Sequence, residues 1–355
     1  LPELTKHGAE SVRQYIIENA EKLGTGIASA VAERFGISRQ AVSKHLKKLV
    51  DEKALIATGN TRSRSYQLAV LNQWSKHYRI SPSLQEHEVW LQDLAPSLEN
   101  LSANALDIWE FCFTEMFNNA IDHSEGDSIV TSVRRTALST WIGIGDNGVG
   151  IFRKIQSAMK LPDARHAILE LSKGKLTTDP SRHTGHGIFF ASRLVDSFVI
   201  SSGGAFFTHV PGEPDQIFEA PDQVSGTVVH MRLENQTSRT AKAVFDQYST
   251  LDDDYGFTRT VIPVRLAQFG EEKLISRSQA KMLLTRIDRF TTAVLDFAGV
   301  NVIGHSFADE IFRVFALAHP NIALLPLNAA PEVKKMIDSA QARKLADQQE
   351  RMRSD

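Results

Sequence analysis

A single cysteine, Cys112, stands in a chain of 355 residues, which excludes an internal disulfide and any cysteine-built zinc site. The thiol reads as a small buried core group. No apolar run approaches the ~18 residues that a membrane-spanning helix requires. The opening residues, Leu-Pro-Glu-Leu-Thr-Lys-His, lack the charged-then-apolar pattern of a secretory signal. The expected location is therefore the cytoplasm, with no membrane partner. The phosphate-cradling pattern Gly-x4-Gly-Lys-Ser/Thr is missing, so any nucleotide site must be built another way. An excess of one charge sign is missing too, since the formal balance is only -2. That near-neutral balance conceals a segregation along the chain. The length allows two or three domains, and 42% hydrophobic with 23% charged residues is the composition of ordinary globular units.

Residues 1–70 hold 11 Lys/Arg against 7 Asp/Glu, and the excess is concentrated from Arg39 to Arg64, where seven basic residues face two acidic ones. Apolar spacing predicts three helices here, carried by Val12, Tyr15, Ile16 and Ile17, by Ile27, Ala28, Val31, Ala32 and Phe35, and by Val42, Leu46 and Leu49. Gly36 is expected to end the second and Ser38 to cap the third. The stretch 55–68 reads as two short strands around a Gly59-Asn60 turn. The run Ile37-Ser-Arg-Gln-Ala-Val-Ser-Lys-His-Leu-Lys-Lys-Leu-Val50 resembles recognition helices of winged helix-turn-helix transcription regulators. The resemblance implies DNA as partner. It puts Arg39, Gln40, Ser43, Lys44 and Lys47 in the major groove and Arg62 and Arg64 of the wing on phosphates. A helical protein-interaction module with a solvated basic face is the alternative.

Farther on, Glu115, Asn119 and Asp122 share one face of a predicted helix, while Phe113, Met116, Phe117, Ala120 and Ile121 cluster opposite. A polar stripe on a helix otherwise fit for a core needs a ligand, metal or hydrogen-bond network. Two β-prone segments follow, at 129–133 and 140–144, and the second runs into Gly145-Asp-Asn-Gly-Val-Gly150. Glycines there permit close approach of backbone to a ligand.

Glu115-x-x-x-Asn119, Asp146-x-Gly148-x-Gly150, Gly185-x-Gly187 and Gly226-Thr227 are similar, in this order, to the N, G1, G2 and Gly-Thr elements of the GHKL ATPase superfamily. That superfamily contains gyrase B subunits, mismatch-repair ATPases, histidine kinases and anti-sigma-factor kinases. The resemblance implies ATP and Mg²⁺ as cofactors. Asn119 would ligate Mg²⁺, Asp146 would accept from the adenine amino group, and Thr227 and Gly150 would complete the adenine contacts. Gly148 belongs to the same turn. Gly185 and Gly187 would offer backbone N–H groups to the phosphates at a helix start. Glu115 matches the general base, and Asp122 would support the site from behind. His186 is unusual within its Gly-x-Gly element. Between Ile151 and His183 a lid of about 30 residues carries Lys160, Lys173, Lys175 and Arg182; these cations read mainly as solvated. His87, too close to the helix of Glu115 for a phosphoacceptor hairpin, reads as a surface histidine. The run 114–124 is most similar to the anti-sigma-factor kinase branch.

After a polar stretch, 236–254, read as a linker, strand-like and helix-like segments alternate and predict a parallel-rich sheet. A helix is expected from Ser276 through Phe290. The run from Ala293 to Phe312 resembles the central motif of STAS-like domains, the fold of anti-sigma-factor antagonists. Ser306 is nearest to the antagonists' phosphoacceptor. The usual Asp-Ser-Ser/Thr-Gly turn is replaced by Gly304-His-Ser-Phe307, so Ser306 reads first as an N-cap.

The expected fold class is multidomain α+β: a winged helix-turn-helix over 1–70, a GHKL (Bergerat) α/β sandwich over 80–235, a linker to 254, a STAS-like α/β domain over 255–340 and a polar tail at 341–355. The expected function is an ATP-binding transcription regulator. Two alternatives stand beside it: a partner-switching serine/threonine kinase, with a protein partner of the sigma/anti-sigma type, and a non-enzymatic ATP-bound scaffold. A homodimer is compatible with these fold types, although no segment carries a strong heptad pattern.

Overall fold

A computed structural model describes residues 2–60, 63–176, 185–219, 225–249, 258–268 and 273–354. At the N-terminal end, α1 (Pro2–Leu23), α2 (Ile27–Phe35) and α3 (Arg39–Asp51) surround a small core. Gly36 closes α2 in the left-handed region at φ 61°, and the Ser38 side chain accepts from the Ala41 amide to cap α3. Val12, Ile16, Ala20, Ile27, Val31, Val42, Leu46, Leu49 and Leu55 form that core, separate from the larger one in the rest of the chain. Strands β1 (Leu55–Thr58) and β2 (Ser65–Leu68) make an antiparallel hairpin beside it.

The chain then builds a seven-stranded antiparallel sheet in the order β3-β4-β5-β9-β6-β7-β8. Its members are β3 (Asn72–Arg79), β4 (Ser128–Arg135), β5 (Ser139–Asp146), β6 (Ser197–Ser202), β7 (Ala205–His209), β8 (Gln216–Glu219) and β9 (Thr227–Glu234). The edge strand β3 begins before residue 80 and precedes the short helix α4 (Glu86–Val89). In β4 and β5, Ile129, Val133, Ile142 and Ile144 are buried, and α5 (Ala103–His123) packs against β5 and β9 through Phe113, Met116 and Phe117. Period-2 alternation against a 3.6-residue apolar face thus closes the layer. Ser102 caps α5 by accepting from the Ala105 amide. Two helices, α6 (Ile151–Met159) and α7 (Ala164–Ser172), follow β5, and α8 (Gly187–Leu194) lies beside α5. The 236–254 stretch contains α9 (Ala241–Asp246), whose Phe245 ring packs edge-on against Phe111 and Phe190.

Toward the C-terminus, β10 (Arg259–Pro263), β11 (Thr292–Asp296) and β12 (Ala323–Leu327) form a parallel sheet in that order. Alongside it run α10 (Arg277–Leu284), α11 (His305–Asp309), α12 (Ala316–Ala318) and α13 (Pro331–Ser354). The parallel sheet and alternating helices agree with the pattern read from sequence. The helix expected to continue to Phe290 stops at Leu284 instead, because Thr285 turns extended at ψ 131° and Arg286 is left-handed. No described helix is long and apolar enough to cross a membrane.

Candidate functional site

Between α5, the start of α6, the end of α7 and the start of α8 lies a cavity of about 300 Å³. Its polar lining includes Glu115, Asn118, Asn119, Asp146, Lys154 and Thr227, with Gly185 and Gly187 on the far wall. Sheet register brings two of these together across 81 positions. Gly145 of β5 pairs with Val228 of β9, so Asp146 and Thr227 lie side by side where the two strands meet the cavity. Asp146 Oδ1 accepts from the Gly148 amide at 2.9 Å and the Thr227 amide at 3.2 Å. Thr227 Oγ1 in turn accepts from the Ile151 amide at 2.9 Å. Burial pushes the Asp146 carboxyl above its ordinary value, against the opposing pull of those amide hydrogen bonds.

Opposite, Glu115 and Asn119 are partly buried on α5. A side chain at Gly187 would collide with the Glu115 carboxylate, so glycine there lets α8 begin directly against the acid. Among the described residues no side-chain hydrogen bond caps α8, and Gly187, Ile188 and Phe189 of its first turn line the cavity, which puts the positive end of the helix dipole there. Gly185, left-handed at φ 72°, abuts the backbone of Leu176, whose amide donates to the Gly185 carbonyl at 3.2 Å. His186 is held neutral: burial first, and then the Lys175 charge, push its pKa down to about 4.

Three residues expected to belong to the site do not line this cavity. Asp122 is exposed at the next turn of α5. Gly148 is required by the Ser124 carbonyl, which leaves no room for a Cβ, and Gly150 is left-handed at φ 86° against Ser202 and Gly226. Both glycines shape the turn rather than the wall. Sequence reading missed Lys154, which lines the cavity. Its Nζ donates to the His123 carbonyl at 2.8 Å and pairs with Glu125 at 2.9 Å. Its place one helical turn after Gly150 is the signal that could have marked it.

The lid cations, read mainly as solvated, differ among themselves in their surroundings. Lys160 is exposed in a left-handed turn at φ 52°. Lys173 is not solvated but 1% exposed, paired with Glu170. Lys175 donates to the Arg289 carbonyl at 2.8 Å. Arg182 lies outside the described residues.

On α3, Arg39, Gln40, Ser43, Lys44 and Lys47 are all exposed, opposite the buried Val42, Leu46 and Leu49. Arg64 is exposed beside the Tyr66 ring, and Arg62 lies outside the described residues. His87 is exposed. Ser306 is exposed as well, and it is not an N-cap: α11 starts at His305 with Gly304 in the cap position. Among the described residues no group of three or more His, Cys, Asp or Glu is arranged to hold a metal.

Residues 279–334 match the family model of a STAS-like domain of unknown function (DUF4325). This segment runs from within α10 through β11, α11, α12 and β12 to the first turn of α13. No curated protein matches the sequence.

Proposed function

We propose that the chain is an ATP-binding transcription regulator, in which a GHKL-type nucleotide site in the central unit controls a winged helix-turn-helix at the N-terminus. The observation that carries this reading is the convergence of Glu115, Asn119, Asp146, Gly185, Gly187 and Thr227 on one cavity. Its volume of about 300 Å³ is at the small end of ligand sites. The donors and acceptors fit a nucleotide at both ends. Asp146, with Oδ1 occupied by amides, offers its second oxygen to an exocyclic amine, and α8 presents its amino-terminal end to phosphates.

Asn119, which lines the cavity, would hold Mg²⁺ through its amide oxygen, and the bound ion would supply charge neutralisation for phosphoryl transfer. Glu115, against the first residue of α8, would take the proton from an attacking water or hydroxyl. For the N-terminal unit, support comes from the exposed basic face of α3 beside a hairpin that carries Arg64. That geometry suits major-groove entry with phosphate contacts on the flank.

Calorimetric titration with Mg·ATP tests the site. Binding to the wild type, lost or weakened at least tenfold in Asp146→Asn, is expected, because the amide would present a donor to the adenine amine. No heat of binding at millimolar ATP would end the nucleotide reading.

A second reading, a serine/threonine protein kinase acting within a partner-switching pair, is favoured by the exposed Ser306 on α11 of the STAS-like segment. Ser306 is not among the residues lining the cavity, so transfer would need a second molecule or a rearrangement. Incubation with labelled ATP and phosphosite mapping separates the two readings: phosphate on Ser306 supports the kinase, and no protein-bound label removes it.

A further inference from the structure

The segment 170–176 is a wall of the cavity on one side and is gripped by the C-terminal unit on the other. Leu171 and Leu176 line the cavity. Behind them Glu170 and Lys173 are only 2% and 1% exposed. Lys173 Nζ donates to Glu170 Oε1 at 2.6 Å and to the carbonyls of Met282 and Thr285 at 3.2 and 3.0 Å. Arg286 donates through Nη1 to Glu170 Oε2 at 3.0 Å and through Nη2 to the Lys175 carbonyl. Arg289 Nη1 donates to that same carbonyl at 3.2 Å, and Thr260 Oγ1 donates to the Lys173 carbonyl at 2.6 Å.

We propose that the STAS-like unit sets the shape of the nucleotide site, with Arg286 as the positioning residue that fixes the 170–176 wall. This inference rests on the nucleotide reading above.

Three features argue for a latch rather than incidental packing. Buried charges are costly unless paired and fully hydrogen-bonded. Here one carboxylate is shared by two cations, each with a further grip on main-chain carbonyls. Arg286 also adopts φ 60°, a left-handed conformation that costs a non-glycine residue free energy and is offset here by the bonds its guanidinium makes. Finally, Leu176, next to the held Lys175, donates its amide to the Gly185 carbonyl at the entrance to α8. The grip therefore reaches the proposed phosphate-binding turn through one hydrogen bond.

A wall held in place before the ligand arrives favours binding by lowering the ordering cost. Linkage makes the effect reciprocal, so that nucleotide must tighten the latch by the factor with which the latch tightens nucleotide. A partner that pulled on the 282–289 segment would accordingly lower nucleotide affinity.

Amide hydrogen exchange on the full chain, combined with calorimetry using Mg·AMP-PNP, tests this. Arg286→Ala should speed exchange at 171–176, leave β4 and β5 unchanged, and weaken Mg·AMP-PNP binding by about tenfold, within the usual range of coupling between sites. Thr260→Val, which deletes a single hydroxyl from the grip, should move both readouts the same way by less. In the wild type, saturating Mg·AMP-PNP should slow exchange at 282–289. Unchanged exchange at 171–176 in Arg286→Ala would overturn the latch. Faster exchange there with undiminished nucleotide affinity would overturn the positioning role. If Arg286→Ala loosens β4 and β5 as well, Thr260→Val decides: local loosening with weaker binding supports the proposal, and the absence of either overturns it. A wild type that binds no Mg·AMP-PNP removes the nucleotide reading, while exchange at 171–176 still reports on the latch.

Discussion

Glu115 has two relationships that set its role: it projects from α5 toward the cavity, and its carboxylate abuts Gly187 at the start of α8. If it is the base, Glu115→Ala should lower ATP turnover by about 10²- to 10⁴-fold, with ATP affinity within a few fold of wild type. Equal slow turnover in both proteins, measured as released phosphate, would remove Glu115 from catalysis and favour ATP as a structural ligand. His186 carries a second residue-scale consequence. Its folded pKa is about 4 against an ordinary 6.5, so between these values the unfolded chain binds the proton more readily. Stability is therefore retained above pH 6.5 and lost as pH falls toward 4. Urea midpoints at pH 7 and pH 4.5 check this, and His186→Phe should lose less between them than the wild type does. An equal loss would mean that His186 is not held neutral by its surroundings.

At the scale of elements, α3 separates its two faces by burial. Lys44→Ala, Lys47→Ala and Arg64→Ala change only exposed positions, so folding should survive. The two α3 variants should weaken DNA binding and relax its sequence preference, whereas Arg64→Ala should weaken it without altering preference and reduce the slope of log affinity against log salt by about one unit. Unchanged affinity and preference in both lysine variants would mean that α3 does not enter the groove.

Much of the element pattern was legible because it is local. The buried faces of α2, α3 and α5 repeat at helical spacing, β4 alternates, and Gly36 and Ser38 carry their own boundary chemistry. What escaped depends on distant partners or on too few residues. Strand β3 offers only Trp74 and Tyr78 among charged and polar neighbours, and it becomes a strand by pairing with β4. Six-residue α9 is too short to show a period. Lys173 reads as solvated because the Arg286 and Met282 that surround it lie more than 100 positions away. Ser306 reads as a cap because sequence cannot say that α11 begins one residue earlier. The cavity was legible through resemblance rather than periodicity: nothing local to Asp146 announces Thr227, and the β5–β9 register joins them.

At the scale of the whole molecule, the cavity belongs to the unit built on the seven-stranded sheet, and the C-terminal unit, which contains the STAS-like segment, grips one of its walls. Under the proposed function, ATP would influence the N-terminal unit only through different affinities for two conformations of the chain. The gripped segment 170–176 is the described part of the lid that both the cavity and the C-terminal unit touch. Under the proposal, a signal entering at the C-terminal unit would reach the cavity through this wall. The most direct measurement is fluorescence anisotropy of a labelled DNA duplex, titrated with the full chain over a series of salt concentrations, with and without saturating Mg·ATP. The account predicts that Mg·ATP shifts DNA affinity by about fivefold or more at each salt concentration. Identical titration curves with and without Mg·ATP, under conditions where calorimetry shows the nucleotide site filled, would contradict it.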